Sequence, residues 1–337
     1  MRKHTSYYIG LIWERSIVCD YLLNSISDMG SSRMKNIHEF TCSRNFYLLQ
    51  DFQSFWISYL GVTINSIFCF TSVLGNFLII VALQNSALRP PSKMLFLFLA
   101  LTDLCVGLVA QPCFVIYVTS MIEERFDICR IAEIVMQISS FALCGISLCT
   151  ITLISMDRSL ALLFGIRYRQ IVTLKRVRST MIIFWILLLS VSLLYLLKED
   201  AFMITFCVFA LFCLVVSTFS FLKIYFTLRH RQSQVVSQSE REHRQMSTRA
   251  NVFKYKRTVA LSVWIYLILT LCYLPYVVVQ IVRALYGDSI SIVIAEGVTT
   301  SMMYHNSTIN PLIYCWSMRE VRQTVKSTIR KFCCLCC

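Results

Sequence analysis

The chain has 337 residues, of which 57% are hydrophobic and only 15% charged, whereas a soluble domain carries about 25% charged residues. Against that shortfall stands a formal net charge of +14, from 32 Lys and Arg set against 18 Asp and Glu. One ordinary water-soluble core is excluded, and the basicity has two readings: a nucleic-acid-binding face, or basic loops between apolar spans that orient a membrane protein.

The polar tail at 1–55 contains no convincing cleavable signal, because the apolar patch after Met1, Arg2 and Lys3 is interrupted at Glu14 and Arg15 before a usable core has formed. The first span is therefore expected to act as its own anchor. A helix crossing the hydrocarbon core needs about 20 mostly apolar residues. Seven runs meet that need, at 56–83, 94–122, 134–156, 179–197, 201–222, 258–282 and 290–316. Their only acids or bases are Asp103 in the second and Glu296 in the seventh. The expected architecture is an all-α membrane protein, a seven-transmembrane helix bundle over 56–316, with a terminal segment at 317–337.

The basic residues decide between the two readings of the charge. The first, third and fifth connectors, over Arg89 to Lys93, Arg167 to Arg178 and Arg229 to Arg257, and the C-terminal tail, over Arg319 to Lys331, hold 20 Lys and Arg, against four (Arg125, Arg130, Lys198 and Arg283) in the second, fourth and sixth connectors. By the positive-inside rule the N-terminus is outside and the C-terminus inside, and no nucleic-acid partner is expected. The polar stretch 230–250 reads as a mobile inner loop.

Polar groups inside hydrocarbon are costly, so each is a functional candidate unless it only joins helices by hydrogen bonds. Asn76, Asp103, Ser147 and the cluster Asn306, Ser307 and Asn310 are such groups. Asp157 and Arg158 close the third span at its inner end. Pro275 and Pro311 remove backbone donors from the sixth and seventh spans and bend them.

After Ser317, basic residues alternate with Met318, Val321, Val325, Ile329 and Phe332. That spacing gives a short amphipathic eighth helix on the membrane surface, facing anionic lipid. The chain ends with Cys333, Cys334, Cys336 and Cys337, which read as palmitoylation sites; no flanking His or acid favours the rival metal reading. No Asn-x-Ser/Thr site lies in the outer tail or loops. The five His are too scattered for a catalytic or metal set, and no internal repeat suggests a transporter. An enzyme is not expected.

Six motifs in register, Gly75-Asn76, Leu99 to Asp103, Ile154 to Arg158, Trp185, Cys272 to Pro275 and Asn310 to Tyr314, resemble the rhodopsin-like (class A) G-protein-coupled receptors over about residues 56–330. The resemblance implies an extracellular ligand, an outward swing of helix six and coupling to a heterotrimeric G protein. It implies that Asp157, Arg158, Tyr225, Pro275, Asn310, Pro311 and Tyr314 serve activation, with Arg158 gating an inner cleft beside Tyr225 and Tyr314. Asn76, Asp103, Ser147, Asn306 and Asn310 match the family's sodium and water pocket, a sodium ion at Asp103 being the sole cofactor implied. The other readings kept open are a receptor fold without G-protein signalling and a transporter.

Departures from the family pattern are informative. The usual helix-three Cys is replaced by Glu133, leaving Cys129 to pair with Cys19 or Cys42; the outer loop near 198–200 is very short; the helix-five proline falls on Ser217, and the acid that often locks the Arg falls on Tyr255. Basal activity is the expectation this motivates. The short loop, the missing proline and Glu133 are partly similar to the melanocortin receptor branch, whose Arg-bearing peptide ligand is held by several acids with calcium, and of those acids only Glu133 matches. By register the ligand pocket comprises Glu133, Ser140, Phe141, Cys144, Tyr273, Tyr276, Gln280, Thr300 and Tyr304. Tyr304 stands where opsins carry the Schiff-base Lys, and Ser140 where monoamine receptors carry Asp. Glu133 apart, such a cavity is uncharged and aromatic and suits a lipid, a small nucleoside-like molecule or part of a peptide as the extracellular ligand.

Overall fold

The structure is a computed structural model that describes residues 52–84, 88–196, 199–238, 245–287, 289–317, 321–327 and 330. The tail at 1–51 and the four terminal cysteines lie outside the described residues. Seven long helices dominate: helix one, Phe52–Gln84; helix two, Pro90–Ile122; helix three, Phe126–Phe164; helix four, Leu174–Ser192; helix five, Glu199–Gln238; helix six, Gln245–Tyr286; and helix seven, Ile290–Ser317. A short inner helix, Tyr168–Ile171, lies between three and four. Residues 321–327 are also helical, with Val321 buried.

Five of the seven, over Ser58–Gln84, Pro90–Ile122, Phe126–Phe164, Phe202–Thr227 and Val263–Tyr286, are long and apolar enough to cross a membrane. Helix four falls short because Lys175, Arg176 and Arg178 occupy its start. Helix seven falls short because Glu296, His305, Asn306 and Asn310 interrupt its apolar run. Both exceptions have a use: the first places basic residues at a membrane face, and the second supplies the polar interior described below.

Helix three is central, packing against helices two, four, five and six, while helix one closes the bundle against two and seven. The outward faces carry large apolar side chains, among them Phe70, Phe212, Phe219, Leu271 and Leu285, all exposed. Such a belt is unsuited to water and suited to lipid. The polar side chains Asn65, Asn76, Asp103, Gln111, Ser147 and Asn310 are buried instead.

Helix two starts with Pro90 and Pro91, where missing N–H groups cost nothing, and contains a π turn at Val106–Ala110. Such a turn loosens the backbone ladder. Helix one takes up the slack: Cys69 Sγ donates to the Gly107 carbonyl at 3.0 Å and Ser72 Oγ to the Asp103 carbonyl at 3.3 Å. Gly107 leaves room for this approach, since a Cβ there would stand 3.0 Å from a Val73 methyl and 3.2 Å from Ser72, and those side chains would have to give way.

The inner stretch 230–250 differs from the mobile loop expected. Helix five continues to Gln238 and helix six begins at Gln245, so only 239–244 lie outside the described residues. No Pro or Gly occurs in 229–257, and polar helix formers such as Gln, Arg and Lys extend a helix already nucleated by the bundle. The short outer loop is as expected, since a tight turn at Leu193–Leu196 leads almost directly into helix five. Cys129, fully buried at the start of helix three, is disulfide-bonded, and its partner is outside the described residues. The other described cysteines are free thiols.

Candidate functional site

Asp103 sits one turn before the π segment of helix two and is 0% exposed. Its Oδ1 accepts from Ser307 Oγ at 2.8 Å and Ser147 Oγ at 3.5 Å, and its Oδ2 from Asn310 Nδ2 at 2.7 Å. Helices two, three and seven thus meet on one carboxylate. Helix one joins through Asn76, whose Nδ2 donates to the carbonyls of Ser72 and Ser307, both at 2.9 Å. The Ser307 carbonyl is the one that Pro311, four residues later, cannot serve. The proline therefore creates an acceptor that Asn76 fills, and its effect is a cross-link between helices.

Of the residues expected around Asp103, Ser147 and Asn310 reach it directly, and Asn76 reaches it through Ser72 and Ser307. Asn306 is buried, and its amide makes no hydrogen bond among the described residues. Ser307 takes the direct contact. The spacing of Ser307 and Asn310, three apart on one helical face, was the available signal. The amide oxygens of Asn76 and Asn310 and the Tyr314 hydroxyl are likewise buried without a partner there. A carboxylate, two hydroxyls and unused amide oxygens form an all-oxygen donor set, which suits a hard cation or ordered water. Among the described residues no group of three or more His, Cys, Asp or Glu converges.

At the inner end, Asp157 joins three elements. Its Oδ1 accepts from the Tyr168 hydroxyl on the short inner helix, its Oδ2 from Ser92 Oγ on helix two at 3.1 Å, and Arg158 Nη2 lies 3.4 Å from the same Oδ2. Arg89 caps the arrangement, its guanidinium 4.6 Å above the Tyr168 ring. Burial, and then the Asp157 carboxylate, push the Tyr168 phenol above its ordinary value, so it stays protonated and donates. Ser92, Tyr168 and Arg89 were not anticipated from the sequence. Tyr225 and Tyr314, expected beside Arg158, sit in opposite environments. Tyr225 is 57% exposed with its ring against Phe226, while Tyr314 is buried edge-on to Phe96.

The outer half holds a cavity of about 120 Å³ between helices one, two, three, six and seven. Phe114, Tyr117, Val118, Met121 and Met136 form its apolar wall, and Ser58, Glu133, Gln137, Arg283, Glu296, Thr300 and Ser301 its polar one. Of the nine residues expected to line the ligand pocket, Glu133 and Thr300 do so. The remaining seven are used elsewhere. Ser140 Oγ and the Tyr304 hydroxyl are 2.5 Å apart, the Tyr273 hydroxyl donates to the Cys144 carbonyl at 3.4 Å, and Gln280 Nε2 donates to Glu296 Oε1 at 2.9 Å. Phe141 packs on Phe202 and Phe206 at ring distances of 4.3 and 5.2 Å, and Tyr276 meets Phe206 at 6.0 Å. Phe202 and Phe206, four apart on one face of helix five, pack against these rings, and the cavity described lies on the side of helices one, two and seven.

Comparison with known proteins agrees with this geometry. The sequence profile of the family described as 7 transmembrane receptor (rhodopsin family) matches residues 75–314. Among curated proteins, the chain is similar to the adenosine receptor A3 of Ovis aries, 24% identical over 307 residues that cover 83% of this chain and 92% of that receptor. It is also similar to the histamine H2 receptor of Cavia porcellus, 25% identical over 281 residues, covering 78% and 76%. The partial likeness to the melanocortin branch continues to rest on the sequence features alone.

Proposed function

The chain belongs to the rhodopsin family of seven-transmembrane receptors, and from that premise we propose that it passes the binding of an extracellular ligand to a heterotrimeric G protein by an outward movement of helix six. As a member of that family it is a multi-pass membrane receptor and not an enzyme. The plasma membrane, with the N-terminus outside, is the proposed location, supported by the 20 inner basic residues against four in the short outer loops.

The observation that carries the reading is a pair of buried polar clusters within the bundle, one midway and one at the inner end. Asp103 joins helices two, three and seven in the middle, and the Asp157–Arg158 pair stands buried at the inner end of helix three. Each buried polar link is costly to leave half made, so displacing one helix obliges its partners to rearrange. Arg158 is held by Asp157 in the arrangement described, and its release toward an inner cleft is the proposed coupling step. Asn306, Ser147, Ser307 and Asn310 would hold a sodium ion against Asp103, the ion supplying a countercharge to the carboxylate. Ser147, Ser307 and Asn310 meanwhile tie helix seven to helices two and three through that carboxylate.

The proposed ligand enters the cavity on the side of helices one, two and seven, with its apolar body against Tyr117 and Met136 and a polar end toward Glu133 and Thr300. Two relatives are named for adenosine and for histamine; Ser140, in place of an acid, argues against a monoamine here. Cys333, Cys334, Cys336 and Cys337 are proposed acylation sites that hold the terminal segment to membrane lipid.

A second-messenger panel covering each G-protein class, in cells expressing the chain or Arg158→Ala at matched surface levels, tests this. Basal or ligand-driven signal that Arg158→Ala removes supports the proposal. Signal indistinguishable from untransfected cells in every channel overturns it.

A further inference from the structure

Glu296, the only acid in the seventh span, is engaged from helix six by two side chains. Arg283 Nη1 donates to both carboxylate oxygens at 2.9 Å, and Gln280 Nε2 donates to Oε1 at 2.9 Å. The ion-paired side chains are 24% and 18% exposed, a setting in which charge-assisted bonds are stronger than at a fully wet surface. Gln280 and Arg283 are three residues apart and share a helical face. Both lie beyond Pro275, where helix six has lost a backbone bond and can bend. Arg283 and Glu296 also form part of the cavity wall.

Midway along the same helix, on the inner side of Pro275, Trp264 meets Trp316 of helix seven edge-on, with centroids 6.0 Å apart and both indoles exposed. Helix six thus meets helix seven through directional, charged bonds at its outer end and through an exposed ring contact on the inner side of Pro275. A rigid swing about Pro275 must shear the outer bonds before the inner end can depart.

We infer that Gln280, Arg283 and Glu296 form an outer latch that sets the resting position of helix six and gives whatever fills the cavity a direct hold on that position. They are positioning residues, acting on the G-protein face through helix six. The assignment rests on the receptor reading for the consequence of helix-six movement, but the latch itself is measurable without a G protein.

The test uses the full-length protein in lipid nanodiscs, with Glu296→Gln, Arg283→Glu, Glu296→Arg and the combined Arg283→Glu/Glu296→Arg exchange. Two quantities are read: Trp264 emission, isolated by subtracting a Trp264→Phe background, and basal nucleotide exchange on added G protein. Each single change should shift Trp264 emission and raise basal exchange about fivefold, the equivalent of one partly exposed ion pair. The charge exchange should recover most of both. Unaltered Trp264 emission in the single variants overturns the latch, as does failure of the exchanged pair to recover it. Shifted and recovered emission with no nucleotide exchange in any variant sustains the latch and overturns the receptor reading instead.

Discussion

Glu124 holds a φ of 59° where helix two turns into helix three. The Arg125 N–H bonds to the Ser120 carbonyl at 2.8 Å and the Glu124 N–H to that of Met121 at 3.3 Å, the paired closure of a Schellman cap, which ordinarily uses Gly. Replacing Glu124 with Gly removes the Cβ penalty at some cost in unfolded-chain entropy, so the protein should gain about 0.5–1 kcal/mol, seen as a higher thermal midpoint in nanodiscs. A lower midpoint would show that the Glu124 side chain contributes more than its backbone costs. Asp103 makes a second prediction at this scale. If its oxygen-rich surroundings hold sodium, then sodium at about ten times its Kd stabilises the protein by about 1.4 kcal/mol relative to choline, and Asp103→Asn loses the response. An equal response in the variant would place the ion elsewhere. Asp103 was legible in the sequence because a lone acid in an apolar span is too costly to keep unless it faces polar partners inside the bundle. The partition between Asn306 and Ser307 was not, since both precede Asn310 at helical spacing and only the rotation of helix seven decides which one reaches the carboxylate.

Helix-to-helix approach depends on residues whose importance lies in what they lack. A Cβ on Gly75 would stand 3.1 Å from the Pro311 ring, and that ring cannot swing aside as a flexible side chain would. Gly75→Ala should therefore cost about 1–3 kcal/mol and, by pushing helix one from helix seven, lengthen the Asn76 bond to the Ser307 carbonyl. Gly61→Ala, where no heavy atom stands within 4 Å of the added Cβ, is the control and should leave the thermal midpoint unchanged or slightly raised, since Ala favours a helix over Gly. Equal loss in both would contradict the contact account, because helix propensity alone would raise both. At this scale the seven spans were readable from hydropathy. The inner extensions of helices five and six were not, because polar sequence without an apolar stripe looks the same whether it is a solvated helix or a loop. Register identifies which residues face inward, while the bulk of side chains such as Phe202 and Phe206, which no motif singles out, bears on where space is left beside them.

For the whole molecule, the low charge content and the large positive balance have one origin. Seven apolar spans account for the scarcity of charge, and the short connectors and tail on one face account for most of the excess of Lys and Arg. What remains inside the bundle is a set of polar groups, nearly all on helices one, two, three and seven, while helix six is held by Tyr273 to helix three, by Tyr266 to Thr218 of helix five and by Gln280 and Arg283 to helix seven. In the proposed mechanism these links pass a change at the outer cavity to Arg158. Reconstituting the purified chain in nanodiscs with purified G proteins of each class, and following nucleotide exchange for the parent and Arg158→Ala, reads that coupling without intermediate steps. Exchange above that of empty nanodiscs is expected with at least one class, falling to the empty level in Arg158→Ala while the thermal midpoint stays close to the parent. Exchange at the empty-nanodisc level for the folded parent with every class, or undiminished exchange in Arg158→Ala, would refute the mechanism.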